Sequence, residues 1–305
     1  MDSIFFSRMC GKLLGDGSIV QQKGRKPRFQ FIHRIEDEPW TAYCHEKLRN
    51  HIPLAHPFLR TTIDSRMVKG YTESIMVQSK TSPIITELRE IWYPNESKQL
   101  PIPFITTHLT EEALAWWYQD DGHLKIHNGI MKKIVLSTDS FTMAENLWLI
   151  QLLRNKFDLQ FSLDGQNRLL LYDQAQIIRF LNIVAPYLQP CMERKAHLLP
   201  PLKPIANRTT VYLPKRFELH HPTREINEQL TTLSSFNDYK CSLAIKDSDI
   251  LQILLQRKNR QPTKPYQVSI NYEYRDSLAE IRQHTGLTIS ELITYCFEQN
   301  CVERR

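Results

Sequence analysis

Apolar and polar residues alternate along this chain in two rhythms, and the order of the rhythms repeats. The run "RMCGKLLGDG" (Arg8–Gly17) is apolar at helical spacing and stops at glycine. It is followed by period-2 segments, "SIVQQ" and "PRFQFIH", which predict strands. "DEPWTAYCHEKLRNHI" predicts a helix, "PFLRTTID" and "KGYTESIMVQS" two more strands, and "SPIITELREIWYP" a closing helix. From Ala113 the grammar starts again with "ALAWWYQDDG" and the strand-like "HLKIH" and "KKIVLST". The helix-like "TMAENLWLIQLLRNKF", the strand-like "LQFSLD" and "RLLLYD", and the helix-like "QAQIIRFLNIVAPYL" complete it. Both halves therefore read αββαββα, and their glycines Gly17 and Gly122 lie 105 residues apart. An ordered set of elements occurring twice points to duplication. The fold class expected is α+β.

The spacing gives the acidic residues a role. Gly11 and Gly15 are four apart, on one helix face, where missing side chains admit a neighbouring helix closely. If that neighbour is the helix ending at Asp121, Asp16 and Asp121 emerge side by side. Close carboxylates repel unless a cation lies between them, and oxygen-only ligands suit Mg²⁺ or Mn²⁺. Either aspartate alone reads better as a helix end at a glycine stop. The pair at matching positions favours a metal site.

These residues resemble the LAGLIDADG homing endonucleases, with the nine-residue signature on Met9–Gly17 and on Leu114–Gly122. The two-motif arrangement is similar to the group I intron-encoded members. The resemblance covers residues 4 to 200 and implies a pseudo-twofold saddle of two antiparallel sheets in a DNA major groove. It implies that Asp16 and Asp121 bind divalent metal, with Gly15 and Asp120 beside them in the metal set. It also implies a basic residue after the third helix of each repeat, for which Lys98 and Lys195 stand in corresponding places. His33 and Thr138 fall near the position that orders water in that family and belong with the expected DNA-contacting residues. The motifs depart from each other at two facing positions: Trp116 stands where the first has Gly11, and Asp120 where it has Gly15.

Alternation along strands places Ser18, Val20 and Gln22 on one face, and Arg28, Gln30 and Ile32 on another. Lys125 and His127 alternate likewise in the second half. Arg suits guanine and Gln adenine, so these faces are the expected DNA readers.

Composition sharpens the picture beyond residue 200. Of a net charge of +6, residues 201–265 carry +5, with 11 Lys or Arg against 6 Asp or Glu. A basic segment points to a polyanion partner, and a solvated linker is the alternative. "LLPPLKPIANRT" reads as a linker. Residues 264–302 read as strand, helix, turn, helix and resemble a ribbon-helix-helix module. Gln267, Ser269 and Asn271 are its expected base-reading face, with Val268, Ile270 and Tyr272 inward, available to pair two chains. "RTTVYLPKRFELHHPTREINEQL" has the same strand-then-helix look and is the other source of a pairing strand. The domain reading is 1–105 and 106–200 for the repeats, 201–263 for a basic extension and 264–305 for the terminal module.

The six cysteines (Cys10, Cys44, Cys191, Cys241, Cys296, Cys301) form no CxxC pair and read as reduced thiols. The first motif starts within ten residues of Met1, no apolar run approaches a membrane span, and an intracellular setting (cytoplasm and nucleoid, or an organelle matrix) is expected. The function expected is a site-specific double-stranded DNA endonuclease with a long target and a monomeric core. An intron-RNA maturase and an inactive DNA-binding regulator are the two alternatives.

Overall fold

The computed structural model describes residues 2–234, 253 and 262–302. The chain forms two compact units. The first takes in residues up to Lys125, Lys132–Tyr172 and Phe180–His197; the second Ile126–Met131, Asp173–Arg179 and the chain from Leu198 onward.

The expected αββαββα order is present twice. The first repeat runs α1 (Ser3–Leu14), β1 (Ser18–Val20), β2 (Arg28–Arg34), α2 (Glu38–Leu48), β3 (Phe58–Ile63), β4 (Tyr71–Gln78) and α3 (Pro83–Trp92). A short helix that the periodicity did not reveal, α4 (Ile102–His108), precedes the second repeat. Proline in its first turn pre-sets the helical φ. The second repeat runs α5 (Glu111–Asp121), β5 (Gly122–His127), β6 (Ile130–Leu136), α6 (Met143–Phe157), β7 (Ser162–Leu163), β8 (Leu169–Leu171) and α7 (Gln174–Val184). The two four-stranded sheets share one topology, β1-β2-β4-β3 and β5-β6-β8-β7. Local sequence sets the helix ends: Thr142 and Glu145 cap α6 reciprocally, and the Thr110 hydroxyl accepts from the Ala113 N–H at the start of α5.

The motif helices α1 and α5 pack face to face in the first unit. A Cβ placed on Gly11 would lie 2.4 Å from the Ala113 carbonyl oxygen and 2.7 Å from the Trp116 Cβ, so the glycine is what admits the α5 backbone at this point. Trp116 is fully buried and meets Trp40 edge-on at 5.2 Å. The buried Thr138 sits beyond β6, where its hydroxyl donates to the Asn167 carbonyl at 3.0 Å.

In the second unit β9 (Arg208–Pro214) pairs antiparallel with β10 (Thr263–Ser269). Among the described residues it also holds helices α8 (Pro222–Ser234), α9 (Tyr272–Thr285) and α10 (Ile289–Val302). The pairing strand therefore comes from the same chain. Val211, Leu213, Tyr266, Val268 and Ile270 point into a core with Ile226, Leu230, Leu278, Leu292 and Ile293. Val268 and Ile270 are thus used up internally and do not form a pairing face between chains. Tyr272, expected inward, is instead the first residue of α9 and is 75% exposed, because the strand ends at Ser269.

Candidate active site

The site is built where α1 and α5 end. Helix α1 stops at Leu14, and Gly15 turns the backbone out of the helix (φ −98°, ψ −134°). Asp16 therefore lies beyond the helix end, with its side chain 34% exposed. Asp121, by contrast, is the last residue inside α5, and Gly122 caps it by donating to the Tyr118 carbonyl.

Between them lies a buried polar network whose centre is Lys12. Its ammonium, fully buried, donates to Asp120 Oδ1 at 2.7 Å and Oδ2 at 2.9 Å, and to His33 Nε2 at 2.7 Å. It also lies 4.5 Å from the centre of the Phe31 ring. Three N–H donors thus have three acceptors. His33 accepts at Nε2, which assigns its proton to Nδ1, and that group donates to Thr41 Oγ1 at 2.7 Å. The Thr41 hydroxyl passes on to the Asp37 carbonyl at 3.2 Å. Burial and the Lys12 charge lower the imidazole's pKa, consistent with a neutral ring.

Asp120 is equally saturated. Beyond Lys12, its Oδ1 accepts from Trp40 Nε1 at 2.8 Å and its Oδ2 from the Asp16 backbone N–H at 3.2 Å. Burial alone would raise its pKa, but the Lys12 ammonium beside it holds it well below the usual carboxylate range. Burial would lower the Lys12 pKa, and the Asp120 charge outweighs it and raises it.

The two motif aspartates have the opposite character. Burial and the Asp120 charge push the Asp16 carboxyl up to about 7 and the Asp121 carboxyl up to about 6. Two carboxylates that resist ionising are poised to gain from a cation. Lys98 and Lys195 both lie close by, and burial brings each down to about 8. Lys98 Nζ donates to the Gly17 carbonyl at 3.1 Å, and Asp121 is the strongest of the charges that oppose its burial. Lys195 Nζ donates to the Tyr118, Gln119 and Asp120 carbonyls at 3.0, 2.7 and 3.3 Å. It thereby caps the C-terminus of α5, where a cation complements the helix dipole. The neighbouring Arg194 reaches Asp37 at 2.9 Å, and Arg34 reaches the same carboxylate at 2.8 Å.

Several expected positions move. His33 is on the covered side of β2, within the network, and so is not on a DNA-contacting face. Thr138 is buried and bonded inside its own repeat, which removes it from that face as well. Asp120, expected in the metal set, is held otherwise. One atom each from Asp16, His33 and Asp120 lie within 4.8 Å of one another, but Lys12 already supplies the cation there. A metal at that cluster would have to displace a fully bonded ammonium. Lys12 and Trp40 were missed. The signal was present in the sequence: one lysine and one extra aspartate at the ends of two otherwise apolar motifs.

Arg28, Gln30 and Ile32 do share the less covered face of β2, while Phe29, Phe31 and His33 are buried. On it Arg28 Nη1 donates to Gln78 Oε1 at 3.3 Å, and Gln78 Nε2 donates to Gln30 Oε1 at 3.1 Å. Val20 is exposed at the end of β1, Ser18 is half-buried, and Gln22 lies just past the strand. Lys125 and His127 are exposed on β5. On the ribbon Gln267 is exposed opposite Thr210, and Ser269 is half-buried opposite Arg208. Asn271 lies past the strand at the start of α9, its N–H donating to Asn227 Oδ1 at 2.8 Å. Among the described residues no helix is long and apolar enough to cross a membrane. Cys10, Cys44, Cys191 and Cys296 are free thiols; Cys241 lies outside the described residues.

Known proteins place this architecture. The chain is 38% identical over 201 residues to the uncharacterized protein MJ1098 of Methanocaldococcus jannaschii, spanning 62% of this chain and 72% of that protein. It is 28% identical over 205 residues to the cytochrome b mRNA maturase bI2 of Debaryomyces hansenii, covering 64% of this chain and 74% of the relative. With the DNA endonuclease I-ChuI of Chlamydomonas applanata it shares 25% identity over 203 residues, 61% of this chain and 90% of the relative. The fold matches that of the homing endonuclease I-WcaI, solved bound to its DNA recognition sequence. The TM-score is 0.57 at 22% identity, over 65% of this chain and 87% of that one. The family model described as the LAGLIDADG DNA endonuclease family matches residues 6–179, more than half of the chain. The chain belongs to the LAGLIDADG DNA endonuclease family.

Proposed function

We propose that this chain is a site-specific double-strand DNA endonuclease that hydrolyses one phosphodiester bond in each strand, with Asp16 and Asp121 holding Mg²⁺ or Mn²⁺. The observation that carries the reading is the pair of carboxylates at the ends of α1 and α5, with raised pKa values and two ammonium groups, Lys98 and Lys195, beside them. The donor set suits the ion: carboxylate oxygens, with the Gly15 carbonyl as a further oxygen. When bound, such an ion neutralises phosphate charge and acidifies a water molecule. Asp120 is not a ligand in this reading, because its acceptor directions are taken.

The chain's own residues divide the remaining work. Lys98 makes one carbonyl bond, keeps N–H groups for a phosphate oxygen or water, and can exchange a proton near neutral pH. Lys195 acts through its charge and by holding the end of α5. Residues 1–105 and 106–200 are the two halves of the nuclease, which needs no second chain. Ser18, Val20, Gln22, Arg28, Gln30 and Ile32 with Lys125 and His127 read the target, and the Arg28–Gln78–Gln30 ladder presents its groups pre-ordered to purine edges. Residues 201–305 add a second DNA surface, on which Gln267, Ser269 and Asn271 are joined by Arg208 and Thr210 of β9. A two-stranded ribbon fits a major groove.

Incubating the full chain with a library of long duplexes, with Mg²⁺ and with EDTA, tests the reading. Paired cuts at one sequence that need the metal support it, and the absence of cutting on every duplex overturns it. A second reading, binding of structured intron RNA, is favoured by the similarity to the Debaryomyces maturase. It predicts splicing help that survives Asp16→Asn and Asp121→Asn together.

A further inference from the structure

The two motifs are not equivalent where it matters. Asp121 is inside α5, so a helical hydrogen bond holds its backbone N–H. Asp16 is two residues past the end of α1, after a glycine that has already left the helix. The Gly15 and Gly17 N–H groups on either side bond back to the Gly11 and Lys12 carbonyls of α1 at 3.1 and 2.7 Å, and the Asp16 N–H between them does not. The Asp120 carboxylate takes it instead: its Oδ2 accepts the Asp16 N–H at 3.2 Å. The other bonds of that carboxylate come from Lys12 and Trp40, again residues of the first repeat. Asp120 thus belongs to the second motif by sequence and to the first half of the site by contact. The position facing it is Gly15, where a Cβ would lie 2.6 Å from the Asp120 Cβ. No reciprocal carboxylate can cross in the other direction, because that position has no side chain.

Resting on the nuclease reading above, we infer that Asp120 and Lys12 form a positioning pair for the Asp16 half of the site alone, so that the two DNA strands are cut through unequally supported halves. Lys12 is needed because an unpaired carboxylate buried between two helices would be driven to protonate or to move. His33, which accepts a hydrogen bond from Lys12 and is anchored to Thr41, fixes the third direction of the ammonium. The pair touches no reacting atom; it acts by orienting Asp16.

The test uses the full chain and a duplex recovered with the wild type, its strands carrying different 5′ labels. Lys12→Met combined with Asp120→Leu replaces both charges by apolar residues and leaves no buried charge unpaired. The strand that Asp16→Asn slows most is expected to slow by about 10-fold or more relative to its complement, with nicked duplex accumulating. A purely structural role would slow both strands alike. A second readout needs no activity: in the metal-free chain the Asp16 backbone amide should exchange about 10-fold faster in the double variant while that of Asp121 is unchanged. If the double variant does not fold, Asp120→Asn is read the same way, since an amide that keeps its oxygen on Lys12 turns its N–H₂ toward Asp16. Equal slowing of both strands, slowing of the strand served by Asp121, or an unchanged Asp16 amide overturns the inference. If the wild type cuts no duplex, the nuclease reading fails and the amide comparison alone decides the positioning pair.

Discussion

Gly11 of the first motif lies directly against Trp116 of the second, with an added Gly11 Cβ falling 2.7 Å from the Trp116 Cβ and 2.4 Å from the Ala113 carbonyl oxygen. The contact fixes how closely the motif helices approach, and so how near the two aspartates stand. Gly11→Val is expected to cost about 3 kcal/mol by overpacking. Trp116→Ala is expected to cost about 3–5 kcal/mol through the cavity it leaves. Combined, they should cost about the sum of the two, because alanine keeps the Cβ that an added Gly11 side chain meets and the Ala113 backbone carbonyl, 2.4 Å from that added Cβ, is unchanged. Denaturant midpoints of the three variants check this.

On the proposed mechanism, Asp16→Asn or Asp121→Asn removes a charge that holds the cation and leaves the strands proposed to read DNA untouched. Each should abolish double-strand cleavage, with rates down about 10²- to 10³-fold, and leave DNA affinity near that of the wild type. Substantial metal-dependent cutting of both strands by either variant would contradict the assignment.

Lys98 and Lys195 should separate under substitution. Lys98→Met is expected to lower the cleavage rate about 10²-fold with little change in melting temperature. Lys195→Met uncaps α5 and should lower stability by about 1 kcal/mol as well as activity. Measuring rate and melting temperature for both variants distinguishes a proton-handling lysine from a helix-capping one.

The raised pKa values of Asp16 and Asp121 make a signed prediction. In the folded, metal-free chain they titrate near about 7 and about 6, above the ordinary carboxylate value of 3.8. Protonation therefore favours the folded state, and their contribution is lost as pH rises through that range. Between pH 5 and pH 7.5 the metal-free wild type should lose about 3 °C or more of melting temperature relative to the Asp16→Asn, Asp121→Asn double variant. Mg²⁺ should remove most of that difference, since a cation lowers both pKa values. Thermal scans at the two pH values with and without Mg²⁺ check both halves.

The β9–β10 ribbon presents Arg208, Thr210, Gln267 and Ser269 on the face away from its core. Replacing Arg208, Thr210 and Gln267 by alanine should relax base preference outside the core footprint. Lys264→Ala, by contrast, should weaken binding on all sequences and reduce the salt slope by about 1. Footprints and binding curves at two salt concentrations separate the two effects. An unchanged footprint in the triple variant would remove the ribbon from the DNA interface.

The sequence by itself determined the duplicated element order, because period-2 and period-3.6 patterns are local and each repeat buries its own faces. It also marked Asp16, Asp121 and the glycines of the motifs, since a helix stop and a close approach both show in residue type. The β9–β10 pairing could only be left open, because two strand-like segments do not say whether they pair within a chain or between chains; burial of Val211, Leu213, Val268 and Ile270 in one core decided it. His33 and Thr138 looked like strand-surface residues, and the pleat cannot tell which side of a sheet the helices cover. The tertiary structure also decided Asp120. Its neighbours Lys12, Trp40 and Asp16 are 80 to 108 residues away in the chain, and only packing α1 against α5 brings them to one carboxylate. Whether an acid holds a metal or a buried ammonium depends on what stands within 3 Å of it, and that distance is written in the fold.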